Sequence, residues 1–300
     1  MNYFLFFTIP IFIISIFLEF IYFKKLNRNV YNIKDTLASL AMGFGYLIVS
    51  TLTSLYVYHI FNFLSKFKLF NLASPWVSLF NTGQINLLSI VLIFFLDDFC
   101  YYWFHRVSHI SRFFWCAHET HHSSEHYNFA TALRQSWIGA PFTWVFWSPM
   151  AIIGFRPEDI FFQTMINLFY QFWIHTKLTK SFGILDYILN TPSHHRVHHG
   201  TEVLYLDKNY AGIFIIWDRI FSTFVPEKKE PTYGVLHPVL SFNPFQIAFH
   251  MVVELIQDIA KEDKFINKVK LIFYPPGWLP NNMGKTTQQM QQEYKKNNLF

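Results

Sequence analysis

The stretch INLLSIVLIFFLDDFCYYWFHRVSH, residues 85–109, joins a long apolar run to a pair of histidines. A run of about 20 mostly apolar residues is long enough to cross the hydrocarbon core of a bilayer as a helix. His105 and His109 are four residues apart, so a helix places both imidazoles on one face. Neutral imidazole is a common metal ligand. The stretch therefore predicts a membrane helix that ends in a metal-binding pair of side chains.

The composition agrees with a membrane protein. Of the 300 residues, 52% are hydrophobic and 14% are charged, whereas soluble proteins carry about 25% charged residues. With only 2 cysteines, a disulfide framework is excluded, and we expect Cys100 and Cys116 to be buried thiols. We attribute the net charge of +5 to basic residues that flank membrane helices, and we expect no nucleic-acid partner.

Further apolar runs extend this interpretation to the rest of the chain. Residues 3–23 form a run that is too long for a signal peptide and lacks a basic segment before it. Residues 37–64 contain no Asp, Glu, Lys or Arg. Two further apolar stretches, 140–155 and 158–175, are joined at Arg156-Pro157-Glu158. They predict a helical hairpin. We therefore predict an all-α fold, a polytopic integral membrane helical bundle.

The basic residues after the first run orient the chain in the membrane. Lys24, Lys25, Arg28 and Lys34 lie in the connection 24–36, which the positive-inside rule places in the cytoplasm. Each span reverses the side of the membrane, so the third run ends on the cytoplasmic face, and the hairpin leaves that face and returns to it. Every histidine motif is therefore predicted on the cytoplasmic face. We expect a multi-pass protein of the inner membrane if the source is bacterial, or of the endoplasmic reticulum if it is eukaryotic.

Three regions follow from this pattern. We predict N-terminal transmembrane helices in residues 1–84, a catalytic core with the histidine motifs in residues 85–225, and a cytoplasmic C-terminal tail in residues 226–300. The tail is more polar than the rest of the chain and rich in lysine.

The histidines are concentrated in the central region. Of the 14 histidines, 11 lie between residues 101 and 200. Ten of them form a pattern, which we interpret as a metal-ligand set: His105, His109, His118, His121, His122, His175, His194, His195, His198 and His199. This number suits two metal ions with roughly four or five ligands each. Such sites accept Zn, Cu, Fe or Ni, and a two-metal site in a membrane protein favours iron and dioxygen chemistry.

Other metal sites fit less well. A zinc finger needs cysteine pairs that are missing, and HETHH is not the HExxH motif of zinc proteases. Haem uses only one or two axial ligands. We interpret the isolated His59, His126, His237 and His250 as bystanders. A non-enzymatic membrane protein that handles metal ions stays open as an alternative.

Two local features support the histidine motifs. Thr191, Pro192 and Gly200 are suited to the N-cap, the first position and the end of a helix that carries the third motif. Asp98 lies seven residues before His105, nearly on the same helical face. We expect its carboxylate to accept a hydrogen bond from a metal-bound imidazole and so to support catalysis.

Longer motifs carry a family resemblance. HRVSH, HETHH and HRVHH resemble the HxxxH, HxxHH and HxxHH boxes of the fatty acid hydroxylase and sterol desaturase superfamily. The chain is most similar to ether-lipid-cleaving members of that superfamily, in the segments DFCYYWFHR (98–106), HETHHSSEHYNFATALRQS (118–136), YQFWIHT (170–176), LNTPSHHRVHHG (189–200) and DKNYAGIFIIWDRIFSTF (207–224).

The resemblance implies a membrane-bound non-haem monooxygenase with two iron ions. Its substrate would be a lipid with a long alkyl chain, such as an alkylglycerol ether, and its co-substrate dioxygen. Because no flavin or nucleotide motif is visible, electrons would come from tetrahydropterin or from a separate electron-transfer protein. Sterol, carotenoid or fatty-acid hydroxylation or desaturation is the alternative within the same superfamily.

Overall fold

The computed structural model describes residues 2–297. Within that range the chain is helical and forms no strand, which confirms the predicted all-α class. The helices are α1 (Asn2–Lys25), α2 (Ile33–Leu64), α3 (Pro75–Thr82), α4 (Leu87–Ile110), α5 (Arg112–His122), α6 (Ala140–Ile153), α7 (Pro157–Ile174), α8 (Pro192–His198), α9 (Ile216–Ile220), α10 (Pro244–Lys261), α11 (Phe265–Phe273) and α12 (Thr287–Asn297).

Among the described residues, three helical segments are long and apolar enough to cross a membrane: Phe7–Lys25, Ile33–Phe67 and Leu87–Ile110. They overlap the apolar runs predicted at 3–23, 37–64 and 85–109. Large apolar side chains such as Phe17 and Phe44 are exposed on them. Exposed apolar surface on this scale is what a membrane helix presents to lipid.

The predicted hairpin is confirmed. Helix α6 ends at Ile153 and α7 begins at Pro157, a residue suited to the first helical position. Gly154 makes the turn at a φ of +133°, and a Cβ at this position would lie 2.2 Å from the carbonyl oxygen of Phe70. The turn therefore requires glycine, both for its backbone angle and for the close approach of the 65–74 connection.

Helix α4 lies at the centre of the bundle, packed against α5, α6 and α7. One apolar core joins its Ile93 and Tyr101 to Trp147 and Met150 of α6 and to Phe61 of α2. Helix α5 follows α4 after a single residue and also packs against α10 and α11. Helices from the C-terminal region 226–300 therefore pack directly on the helix that carries HETHH.

The third histidine motif forms the predicted short helix. Helix α8 begins at Pro192, with Thr191 as its N-cap, and ends just before His199 and Gly200. The N-cap forms a capping box, in which the backbone N–H of Thr191 donates to Nδ1 of His194. The two reciprocal bonds satisfy N–H groups that the first helical turn leaves unpaired.

Candidate metal centre

Nine of the ten histidines that the sequence singles out lie in two neighbouring groups. Within each group, one ring nitrogen from every histidine lies within 4.8 Å of the others. Eight of the nine residues are buried, and His118 is half-buried. The first group contains His105, His109, His118, His122 and His198, and the second contains His121, His175, His195 and His199.

Helix geometry explains how adjacent histidines reach different groups. Successive residues of an α-helix point about 100° apart, whereas residues four apart share a face. In α5, His118 and His122 therefore enter the first group and His121 the second. At α8, His195 and His199 enter the second group and His198 the first. Each HxxHH box thus contributes to both groups.

The hydrogen bonds of the second group show that a cation fits between its rings. The Nδ1–H of His175 donates to the carbonyl oxygen of Gln171 at 2.7 Å, and that of His121 donates to Arg134 at 3.3 Å. Because a carbonyl oxygen only accepts, each Nε2 carries a lone pair. These two Nε2 atoms lie 3.1 Å apart. Two lone pairs at this distance repel each other unless a cation lies between them.

The first group has the same arrangement. The Nδ1 atoms of His105 and His198 donate to the carbonyl oxygens of Tyr210 at 2.7 Å and Lys208 at 2.9 Å. Their Nε2 atoms face the interior of the group. Among the described residues, the buried Nε2 atoms of His109 and His198 find no hydrogen-bond partner. Such unpaired buried nitrogens are costly in an empty site and are suited to a metal ion.

Burial keeps these rings neutral. The pKa of His121 falls to about 4 because the charged form is desolvated. Burial, together with the surrounding imidazoles, also holds the pKa values of His122 and His198 well below 6.5. At neutral pH, protons therefore do not fill the two groups. Neutral imidazole is the form that binds metal, and the donor set fits two metal ions.

Comparison with known proteins agrees with this geometry. The family model described as fatty acid hydroxylase matches residues 90–223, which hold all nine histidines. Residues 90–223 are a fatty acid hydroxylase domain. The sequence-based expectation of this family is confirmed.

The chain is also similar to several named proteins. The chain is 50% identical over 190 residues to alkylglycerol monooxygenase of Xenopus tropicalis, in a match that covers 63% of this chain and 42% of that relative. The human alkylglycerol monooxygenase is 44% identical over 218 residues, 72% of this chain and 46% of the relative. Lathosterol oxidase of Mus musculus is 27% identical over 167 residues, 48% of each chain.

The chain spans less than half the length of these curated relatives. No solved structure gives a significant match to the chain.

The hydrogen bonds of Asp98 in this structure go to other partners than the imidazole that we predict for it. Its carboxylate accepts hydrogen bonds from the backbone N–H groups of Ile213 at 2.6 Å and Phe214 at 2.9 Å, and from Nε1 of Trp217 at 3.0 Å. Seven residues along a helix is a rise of about 10 Å, too far for a bond to the ring of His105. Asp98 instead fixes the loop after Tyr210.

Asp207, rather than Asp98, is the carboxylate beside a histidine of the first group. The Nδ1–H of His109 donates to Asp207 Oδ1 at 3.2 Å. A carboxylate in this position fixes the tautomer and orientation of a metal-binding imidazole. Asp207 is the first residue of the family segment 207–224. Because this segment lies far from HRVSH along the chain, the sequence alone does not predict the contact with His109.

The loop 207–210 surrounds the first group. It supplies Asp207 and the carbonyl groups of Lys208 and Tyr210 to His109, His198 and His105, respectively. The loop is held by the carboxylate of Asp218, which accepts the N–H groups of Tyr210 and Ala211 at 2.8 Å each. Asp207 and Asn209 adopt positive φ angles of 56° and 55°, which Asp and Asn tolerate better than most residues.

A buried ion pair supports the second group. Arg134, whose carbonyl oxygen receives the bond from His121, is 2% exposed. Its guanidinium donates to Asp35 Oδ1 at 2.9 Å and to Ser123 Oγ at 2.9 Å. The pair therefore connects α2 to the segment that follows HETHH. The contact between Arg134 and Asp35 lies deep in the protein, away from its surface.

His194 and His250 lie outside both groups. His194 caps α8 through its Nδ1, and its ring contacts Phe224. From the sequence we expect His194 to be a ligand and His250 to be a bystander. In the structure, Nε2 of His250 lies 3.1 Å from the carboxylate of the buried Glu119 in HETHH. His250 therefore connects α10 to the helix that carries HETHH.

Proposed function

We propose that this chain is an integral membrane monooxygenase that hydroxylates a C–H bond of a lipid. The observation that carries the proposal is the pair of buried histidine groups with opposed nitrogen lone pairs, inside a fatty acid hydroxylase domain. The similarity to proteins named alkylglycerol monooxygenase supports the same activity.

Two iron ions would be held by five and four imidazoles, respectively. Bound iron would supply the dioxygen chemistry that amino-acid side chains lack. The chain itself holds the rings neutral and fixes their orientation through Asp207, Gln171 and the carbonyl groups of the 207–210 loop. Burial of eight of the nine histidines keeps bulk water from the reacting centre.

The position of the site suits a lipid substrate. His105 and His109 lie in the last two turns of the candidate span Leu87–Ile110. A lipid could keep its polar head at the membrane surface while its alkyl chain reaches this depth. Aromatic rings flank the first group, with Tyr101 5.3 Å from His105 and Trp115 5.1 Å from His109 between ring centroids.

An alkylglycerol ether is the first substrate to test. Hydroxylation of the carbon next to the ether oxygen gives a hemiacetal, which collapses to a fatty aldehyde and a glycerol derivative. One oxygen atom of dioxygen enters the product and the other leaves as water. The two electrons that this requires would come from tetrahydropterin or from an electron-transfer protein.

Product analysis by mass spectrometry tests the proposal. The full chain in lipid vesicles is incubated with an alkylglycerol, isotopically labelled dioxygen, and either tetrahydropterin or a cell extract as reductant. We expect fatty aldehyde that requires dioxygen and is lost in His121→Ala. His59→Ala is the matched control, because His59 is exposed on α2, and it should keep activity.

The similarity to lathosterol oxidase supports a second candidate, oxidation of a sterol. A sterol or fatty-acid hydroxylase would modify those lipids and leave the ether intact, and a desaturase would introduce a double bond without adding oxygen. Metal binding with no turnover of any lipid would instead favour the metal-handling alternative.

A further inference from the structure

The surface of α10 divides into three stripes. A helix turns about 100° per residue, which separates a packed side from two different exposed sides. Ile247, Ala248 and Leu255 are buried. The exposed sides are an apolar stripe of Phe245, Phe249, Val253 and Ile256 and a polar stripe of Gln246, Glu254, Gln257 and Lys261.

The buried side holds α10 against α5. Arg112 at the start of α5 donates to Asp258 Oδ2 at 2.6 Å. Glu119, in the middle of HETHH, pairs with His250 at 3.1 Å. These contacts fix the direction in which the other two stripes point.

The apolar stripe begins beside a candidate membrane span. The ring of Phe245 lies 5.2 Å from that of Trp137. Nε1 of Trp137 donates to the carbonyl oxygen of Met42 at 2.9 Å. The same indole covers Gly45 so closely that a Cβ there would lie 2.4 Å from it. Through Trp137, the stripe is continuous with the apolar surface of the span Ile33–Phe67.

Helix α11 extends this apolar surface. Phe265, Ile266 and Phe273 are 79%, 58% and 60% exposed. Its opposite side carries the buried Leu271, which packs in one cluster with Cys116 of α5. Two consecutive helices thus present large apolar side chains outward while their other sides bind α5.

We propose that α10 and α11 lie flat in the interface of the bilayer that α2 crosses. Their apolar stripes would enter the boundary between headgroups and acyl chains, and the polar stripe of α10 would face water. An apolar patch rimmed by polar residues is typical of a binding surface. A helix with separate apolar and polar sides is suited to a membrane interface. The occupant is phospholipid, because the patch continues an apolar span surface.

Apolar burial rather than charge would drive this contact. Residues 244–273 carry four lysines and four acidic residues, so their net charge is zero. Neutral phosphatidylcholine should therefore suffice as the lipid. The contact would hold α5 and its metal-binding histidines at a fixed depth beside the membrane.

Spin labels on the full chain in phosphatidylcholine vesicles test the proposal. A label at Val253→Cys reports the apolar stripe, and a label at Glu254→Cys, about 100° away around the helix, reports the polar stripe. Accessibility is measured to dioxygen, which concentrates in lipid, and to a water-soluble nickel chelate. We expect the ratio of dioxygen to nickel accessibility to be several-fold higher at position 253 than at position 254.

Two results would overturn the proposal. Equal, high nickel accessibility at both positions would place the stripe in water. Low accessibility of position 253 to both reagents would show that protein covers it, such as a second copy of the chain. Cys100 and Cys116 are buried, and unmodified protein sets their background. Ile256→Cys and Gln257→Cys repeat the comparison independently, and only variants with wild-type metal content are interpreted.

Discussion

The Nε2 atoms of His121 and His175 face each other at 3.1 Å, although 54 residues separate the two histidines along the chain. Each ring donates its Nδ1–H to a backbone carbonyl group. Both inner nitrogens therefore carry lone pairs, and a cation bound to both would relieve their repulsion. This is the arrangement expected of a metal site rather than of a cluster of hydrogen-bonded core histidines.

Metal content is the first prediction. Protein purified without oxygen should contain about two metal ions per chain, because the nine imidazoles divide into sets of five and four. Elemental analysis by mass spectrometry measures this directly. A content of one ion or none in active protein would contradict the assignment of two sites. Zinc found after aerobic expression would not identify the native metal, since histidine sites accept several divalent ions.

Neighbouring histidines in the third motif should behave differently. His195→Ala should lower metal content and abolish activity, because His195 lies in the second group. His194→Ala should keep both, because its ring caps α8 instead. The loss of the cap should cost about 1 kcal/mol of stability. Elemental analysis and thermal unfolding of both variants in detergent check this, and equal metal loss would show that His194 is a ligand.

The ion pair between Arg134 and Asp35 should be important for stability. Asp35→Ala leaves a buried, unpaired guanidinium, and removing one partner of such a pair costs about 3–5 kcal/mol. Replacing both partners, as in Asp35→Ala with Arg134→Met, should recover part of that loss. Denaturant unfolding of Asp35→Ala, Arg134→Met and the double variant measures it. If the double variant loses as much stability as the two single variants together, the ion pair does not account for the loss.

Asp207 should increase the metal affinity of the first histidine group. Asp207→Asn preserves the size of the side chain and an oxygen that can accept from His109, but removes the charge. Loss of such a partner lowers metal affinity by about 10- to 100-fold. Titration of chelator-treated protein with a divalent metal measures the change. Asp98→Asn is the comparison, because Asp98 contacts the backbone of the 213–214 loop and should alter stability more than affinity. Unchanged affinity in Asp207→Asn would refute this role.

Metal-free protein should lose stability in mild acid. The pKa of His121 is lowered from 6.5 to about 4, so between these values the unfolded chain binds more protons than the folded one. Stability is then complete above pH 6.5 and falls as the pH falls towards 4. Urea midpoints of chelated protein at pH 7.5, 6 and 5 should decrease in that order. A constant midpoint would show that these histidines have the same pKa values in the folded and the unfolded chain.

Features that depend on local spacing could be predicted from the amino-acid sequence. Three of the apolar runs predicted membrane-length helices, and intervals of three and four residues linked eight of the nine histidines of the two groups, all but His175. The caps Thr191 and Gly200 predicted α8 correctly. Each of these signals lies within one helix, where backbone geometry fixes which side chains share a face.

The tertiary structure alone decided how those helices meet. It divided adjacent histidines between two groups, and it gave the carboxylate beside His109 to Asp207 instead of Asp98. It also paired His250 with Glu119 across 131 residues. A periodic pattern states which face of a helix a residue occupies, but not which distant segment packs against that face. That choice depends on packing across the whole chain, and no single spacing in the sequence contains it.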